Sequence, residues 1–372
     1  MPSDDTTIIL RNRRTHRVLA ELPDWTTVRF REERYRSSTA SIDFHPGAIS
    51  PELMMTMAGG DAGIEIQTIL PDGTEAGYYG TVETVRLSNE SLGDITYNVC
   101  NLSNEYVSRG RGDLALQIIE RTRDAEAQER YPFYETQRLV TNLVNRDQMH
   151  HKANDELRNR RRERTVFEPD IRLDTRPYMV SLTMLNQLGY LDRRLVDTTN
   201  VDHLYVDEIP GGEMIRDLYV NEMMAPNLAR RQIDSTSELG SFTPGQSVLG
   251  SVRWVRLNNI VEIVSRAADL TLTHDLVFNP HDRTLAVRYG TKPANNRRYT
   301  NEDRLVITEQ LAGDWFRLEI GDVVERVFWM DVARNTEPVE TTDVICVRRE
   351  LWKSARTSWR MKPTFEVYGD TL

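Results

Sequence analysis

Apolar and polar residues alternate with a period of two through most of the first hundred positions. In the stretch from Gly63 to Leu87, Ile64 and Ile66 alternate with Glu65 and Gln67, the pattern of a strand with one buried face. Pro71, Asp72 and Gly73 then supply a fixed φ, a self-bonding side chain and a residue free to take φ > 0. A second β-rich run from Tyr78 to Val85 completes a hairpin. Further strand-like runs fall at Thr7–Leu10, Arg17–Leu19, Thr27–Arg31, Ala40–Phe44 and Asp94–Asn101, separated by Pro-Asp, Pro-Gly and Gly-Asp turn signals. Ala40, Ile42 and Phe44 share one face, with Ser41 and Asp43 on the other. Residues 1–108 therefore predict an all-β unit, a small barrel or sandwich with Ile42, Phe44, Ile64, Ile66 and Val82 inside.

Near Asp113 the period changes. Leu114, Ile118 and Ile119 fall on one helical stripe behind an Asp113 N-cap, and Leu139, Val140, Leu143 and Val144 on another. Residues 109–176 so predict a helical connector. Beyond Met149 the stripe fades into "HHKANDELRNRRRERTVFEP", with five arginines at Arg158, Arg160, Arg161, Arg162 and Arg164. Residues 177–255 mix short strands with breaks and a helical stripe of Ile215, Leu218, Tyr219 and Met223. The clearest helix follows, on Leu257, Ile260, Val261, Val264 and Ala268, then a hairpin across Asn279–Asp282. Phe316, Leu318 and Ile320 predict a further strand before a Gly321-Asp322 turn. The remainder of 256–372 is again β-rich. The chain thus reads as mainly β with helical insertions, an α+β protein with two β units around a helical middle.

Composition narrows the function. Length, 39% hydrophobic and 28% charged residues fit a folded chain of two or three units. No run of 18 apolar residues occurs, so no membrane span is expected, and the N-terminus does not read as a secretory signal. Cys100 and Cys346 are too few for a disulfide framework and too far apart for a Cys-ligated zinc. A formal net charge of −10 opposes dedicated nucleic-acid binding, which favours a solvated helix end or subunit interface for the arginine run.

Catalytic signatures are absent. The chain has no HExxH, no GxSxG and no GxxxxGK[ST]. His150 and His151 are adjacent and point about 100° apart on a helix, so they do not chelate one ion together. His203, near Asp202 and Asp207, reads as a surface residue rather than a metal ligand. No catalytic residue, cofactor or metal is expected. The many carboxylates leave a glycosidase pair formally open, since that chemistry needs only two at the right separation.

Two stretches resemble the tail-hub proteins of long-tailed bacteriophages, in the minor-tail form of actinobacterial siphophages. The first is "ASIDFHPGAISPELMMTMAGGDAGIEI…GYYGTVETV", where Phe44, Leu53, Ile64, Ile66, Tyr79, Gly80 and Val82 match a strand, loop, strand, turn and aromatic-Gly-x-Val strand. The second is "GGEMIRDLYVNEMMAPN…SVRWVRLNNIVEIVSRAADLTLTHDLVF", with Arg253, Trp254, Leu257, Ile260 and Val261 at matching places. Asp282-Arg283-Thr284 departs from the family, which carries Asp-Arg-Thr after the hairpin rather than within it. The resemblance implies two tail-tube-like β-barrels per chain with helical and small α/β connectors, the second barrel drawing on 177–255 and 256–372. It implies a homotrimer presenting a pseudo-sixfold ring, with Trp254, Leu257, Ile260, Val261 and Val264 as hub core and the hairpin at residues 63–87 as lumen wall. The partners it implies are a distal tail protein, receptor-binding and tip proteins and a tape-measure protein, with genomic DNA passing unbound. The location it implies is the virion tail tip, assembled in the host cytoplasm. The competing classes are a cell-wall hydrolase and a carbohydrate-binding attachment module.

Overall fold

The computed structural model describes residues 6–367 apart from 46, 72, 90–92, 99–101, 113–116, 131–135, 140–141, 161–163, 169–178, 197–202, 234–236, 253–255, 294–297, 300–315, 317 and 329–340. The strands are β1 (Thr6–Asn12), β2 (Val18–Glu21), β3 (Trp25–Glu33), β4 (Thr39–Phe44), β5 (Ala62–Ile69), β6 (Glu75–Asn89), β7 (Gly93–Asn98), β8 (Glu105–Arg109), β9 (Ile119–Arg123), β10 (Thr136–Leu139) and β11 (Arg164–Glu168). They continue with β12 (Met179–Asn186), β13 (His203–Pro210), β14 (Glu238–Leu239), β15 (Ser247–Val252), β16 (Leu270–Asn279), β17 (Thr284–Pro293), β18 (Arg298–Tyr299), β19 (Val323–Phe328), β20 (Thr341–Ser354) and β21 (Arg360–Val367). The helices are α1 (Pro51–Ala58), α2 (Ala125–Arg130), α3 (Arg146–Arg160), α4 (Gly211–Tyr219) and α5 (Leu257–Ala267).

One sheet of thirteen strands dominates, in the order β18-β19-β20-β3-β4-β12-β6-β5-β1-β2, with β21 on β20, and β7 and β11 branching from β6. The described strands do not close on themselves, so the sheet is open and not the closed barrel that alternation suggests. Nor is it confined to residues 1–108. β12 sits between β4 and β6, with Leu182 opposite both Ile42 and Val85. β20 pairs with β3, placing Leu351 opposite Phe30. Local alternation reports which face a strand buries but not which strand pairs with it, so these insertions have no signature in the chain's first hundred residues.

The hairpin of β5 and β6 pairs Ile64 with Gly80 and Ile66 with Tyr78. Gly73 takes φ 82° at the turn, where an L side chain is disfavoured, while Leu70 and Thr74 close the loop by a 2.8 Å backbone bond. Gly80 is required by a close approach: an added Cβ would meet the Tyr78 ring at 2.8 Å and the Leu185 carbonyl at 2.9 Å. The loop implied after Phe44 contains α1. Ser50 caps it by accepting from the Leu53 amide, Pro51 starts it, and Met57 and Ala58 are buried.

Two of the expected helices are differently placed. Ile119 begins β9 instead of continuing a helix, and Leu139 ends β10, both in a small sheet with β8. The helix lies further on, in α3, where Met149, Ala153 and Leu157 are buried at i, i+4 and i+8. Three apolar residues suffice because α3 covers only the narrow β8–β9 surface. Phe316, Leu318 and Ile320 precede a turn rather than forming a strand. Asp322 folds this segment back: its backbone amide donates to the Glu319 carbonyl, and its carboxylate accepts from the Glu319 amide at 2.8 Å.

A second core lies against the sheet. α4 buries Met214, Ile215, Leu218 and Tyr219, α5 buries Leu257, Val261 and Val264, and β17 contributes Leu285, Val287 and Tyr289. Its members include Tyr79 of β6, whereas the neighbouring Tyr78 belongs to the first core with Ile42, Phe44, Ile64, Ile66 and Val82. Successive β6 residues thus point into different cores, and the central sheet is covered on both faces there.

Candidate functional site

The expected barrel-core residues Ile42, Phe44, Ile64, Ile66 and Val82 lie together in the first core, packed with Val180, Leu182 and Met184 from β12 and Leu351 from β20. All five are buried. Of the second group, Leu257, Val261 and Val264 are buried and Ile260 is partly buried, while Trp254 lies outside the described residues. Among the arginines, Arg158 and Arg160 project from the end of α3. Arg158 is 76% exposed with only Asp155 at 3.8 Å, and Arg160 has Glu156 at 3.9 Å, pairs of little energetic weight at such exposure. Arg161 and Arg162 lie outside the described residues, and Arg164 opens β11 opposite Asn98.

A different set of arginines joins the two cores. Arg11 and Glu65, 0% and 1% exposed, form an ion pair at 2.5 Å. Arg11 also donates to the His16 carbonyl at 2.8 Å and to the Arg283 carbonyl, in the β16–β17 turn, at 2.9 Å, with its guanidinium 5.6 Å from the Phe278 ring centroid. Arg13 donates to the Tyr190 hydroxyl and to the Gly60 carbonyl. Arg193 donates to Glu83 at 3.0 Å. Within the second unit, Arg231 pairs with buried Glu222 at 3.0 Å while donating to the Leu195 carbonyl. At the far end of this seam, Arg34 bonds Asp269 at 2.7 Å, beside a Tyr35 held at φ 65°.

Alternation assigns Arg11, Glu65 and Glu83 to solvent because they lie opposite the first core. They are buried because that face meets the second core. The available signal is the run of arginines at the end of β1 and just beyond it, "ILRNRR". The Asp282-Arg283-Thr284 triplet has a local role: Asp282 accepts from the Thr284 amide at 3.0 Å and its hydroxyl at 2.6 Å, while Arg283 takes φ 54°. These bonds hold the Asp282 carboxyl below its ordinary pKa.

Among the described residues no group of three His, Cys, Asp or Glu side chains is arranged to hold a metal. His16 packs edge-on against Tyr79 at 5.1 Å, His150 contacts Thr122 at 3.0 Å, and His274 contacts Asn186 at 3.4 Å, each in a different place. Cys346 is buried, and burial pushes its thiol up to about 12, the reverse of an activated nucleophile. Cys100 lies outside the described residues. A cleft of about 400 Å³ lies between Phe30, Leu70, Glu75 and Phe316. A larger one of about 590 Å³ separates β5 and β6 from the β16–β17 hairpin. No described helix is long and apolar enough to cross a membrane.

No family model and no curated protein matches the chain. Among solved structures, it is similar to the 43 kDa tail protein of prophage MuSo2 from Shewanella oneidensis (TM-score 0.42, 7% identity, 97% of this chain and 96% of that one). It is also similar to a tail protein from Neisseria meningitidis MC58 (0.36, 9%, 97% and 96%). A third is an Escherichia coli protein described as a component of the type VI secretion system with structural similarity to T4 bacteriophage tail proteins (0.41, 8%, 93% and 74%). At TM-scores below 0.5 no residue's role is transferred from them.

Proposed function

We propose that this chain is a structural, non-enzymatic protein of a bacteriophage tail, the tip hub that closes the distal end of the tail tube. The observation that carries the reading is the open thirteen-stranded sheet. Among the described strands β2 pairs only with β1, and its Val18 and Leu19 are 44% and 43% exposed. β21 likewise pairs only with β20. Uncovered edges invite pairing with another chain, and a closed ring of copies is a common way to use them. The tail-hub resemblance of Ala40–Val85 and Gly211–Phe278 supports the same reading. In it, two barrel-like units per chain are completed by strands from distant segments. Three copies form the ring that adapts the sixfold tube to a threefold tip. That tip carries receptor-binding and cell-wall-penetrating proteins. A net charge of −10 suits a passage for DNA, since neutralised phosphates would add salt-sensitive affinity. The arginines at 158–164 then belong at a subunit or partner interface, where guanidinium groups pair bidentately with carboxylates.

Mass photometry of the purified chain, followed by imaging of assembled tails, tests this. Three copies in a ring at the tail's distal end are expected. A monomer at micromolar concentration together with no ring in tails overturns the reading, as does a lumen lined mainly by Arg158–Arg164. Clearing of cell wall by the purified chain in a zymogram would instead select the hydrolase class.

A further inference from the structure

The face of the central sheet opposite the first core meets the second core at β6, where Tyr79 belongs to that core. Across β12, β4, β3, β20 and β21 the same face is open to solvent, with Thr183, Arg29 and Arg360 exposed. Strand register builds one row there. Trp352 of β20 lies opposite Arg360 of β21 on one side and Arg29 of β3 on the other. Arg29 in turn lies opposite Ser41 of β4, and Ser41 opposite Thr183 of β12. Cross-strand partners share a face, and Leu351, the residue before Trp352, is buried in the first core, so the row points outward. The row contains no carboxylate. Of the acids beside it, Glu350 is held by Arg29 at 3.3 Å and Asp43 accepts from the Ser181 hydroxyl at 2.6 Å. Arg360, and Lys362 on the same face of β21, are exposed and make no ion pair among the described residues.

We propose that this row binds an acidic polysaccharide, with one pyranose ring on the Trp352 indole and carboxylates held by Arg29 and Arg360. The electron-rich face of an indole attracts the C–H face of a sugar ring. Guanidinium groups pair with carboxylates bidentately, and these two stand two strand spacings apart, about 10 Å, with the indole between them. Ser41 and Thr183 extend the row with hydroxyls, which both donate to and accept from sugar hydroxyls. A protein partner selects an apolar centre, and this row has one aromatic and no aliphatic side chain. A nucleic-acid strand selects successive stacking aromatics, and the row has one. The net charge of −10 is no barrier, because at physiological salt charges beyond about 8 Å are screened. The inference goes beyond the tail reading and does not depend on it, because it rests on the sheet face alone.

The test titrates the intact chain calorimetrically with trigalacturonate, using its methyl ester, tetraglutamate and oligo-dT as controls. Trigalacturonate should bind at least about tenfold more tightly than the ester, which lacks the charge, and than tetraglutamate, which lacks the sugar ring. Arg29→Gln with Arg360→Gln should weaken it about tenfold, to the level of the ester. The melting temperature of that variant should stay near the parent value, because both side chains are exposed, which separates lost binding from a lost fold. Trp352→Thr should also weaken binding about tenfold, whereas Trp352→Tyr, which keeps a ring, should retain most of it. Equal binding of trigalacturonate and its ester overturns the proposal. So does binding unchanged in the double arginine variant or in Trp352→Thr, or no binding up to about 10 mM. Tetraglutamate or oligo-dT binding as tightly as trigalacturonate overturns it too, and assigns the row to an acidic protein or to nucleic acid instead.

Discussion

The central sheet and the β16–β17 hairpin are both antiparallel, and they differ in where each strand finds its neighbour. β16 turns at Asn279–Arg283 and pairs at once with β17, so that Leu276 lies opposite Val287 and Phe278 opposite Leu285. In the sheet, Ile42 lies opposite Leu182 and Phe30 opposite Leu351, partners far apart along the chain, the second of them beyond the whole of the other core. The hairpin's closure entropy is small and local, whereas the sheet must order long intervening segments before its central pairs form. Neighbouring core members thus have histories of different length. The seam that unites them is built from charged groups, where a misplaced partner is costly.

That seam should give the largest single effect. Arg11→Ala leaves Glu65 buried without its cation and removes the bond to the Arg283 carbonyl, so a loss of about 3–5 kcal/mol is expected. The double replacement Arg11→Met with Glu65→Leu removes both charges together and should recover most of that loss. Urea denaturation of the three proteins checks this. If Arg11→Ala melts like the parent, the seam does not couple the two cores.

Core truncations should separate the two regions kinetically. Leu182 and Val261 are both fully buried, and replacing either with Ala should cost about 2–4 kcal/mol from lost burial and the cavity left behind. Val261, in the locally built unit, should slow refolding, because contacts near in sequence form early. Leu182, inserted between β4 and β6, should instead speed unfolding. Stopped-flow folding arms that respond in the same way for both variants would abolish the distinction.

This division also explains what can be read from the residues alone. The apolar stripe of α5 locates a helix whose ends agree to within two residues, because 3.6-residue periodicity and packing act on the same short segment. The β5–β6 hairpin is legible for the same reason: Gly73 and the alternation around it are local facts. The three-residue stripe of α3 escapes a periodicity reading because a helix on a narrow surface needs few apolar positions. Burial of Arg11, Glu65 and Glu83 is unreadable, since alternation reports which residues share a face but not what covers it. The cleft between β5–β6 and the β16–β17 hairpin is invisible for a related reason, because its walls come from positions near 70 and near 275.

A smaller effect, about 1 kcal/mol, is expected for Gly73→Ala. Gly73 has φ 82° with open space where a Cβ would sit, so the cost is backbone strain alone, without a clash. Thermal melting should show a drop of a few degrees at most. A larger loss would mean that this turn, although local, helps set the register of the long-range sheet.

The smallest effect tests the contact between the regions through protons. His274 of β16 faces Asn186 at the end of β12, with its Nδ1 3.4 Å from the amide nitrogen. Desolvation lowers its pKa below the ordinary 6.5, and the negative fields of Glu32 and Asp275 offset this only in part. The folded protein therefore holds His274 neutral at pH values where the unfolded chain binds a proton. Stability is unaffected well above 6.5, declines as pH falls through that value, and stops declining once pH is below the folded-state pKa. His274→Gln removes this linkage, so the variant's stability should fall less than the parent's between about pH 7.5 and 5.5, by under about 1 kcal/mol. Subtracting the two pH profiles cancels the contributions of the other histidines. A difference profile that is flat would show that the hairpin holds His274 in water, loosely apposed to the sheet. A fall that begins near 6.5 and continues below it would show that it is desolvated there, and that the locally built hairpin is seated on the strands assembled from afar.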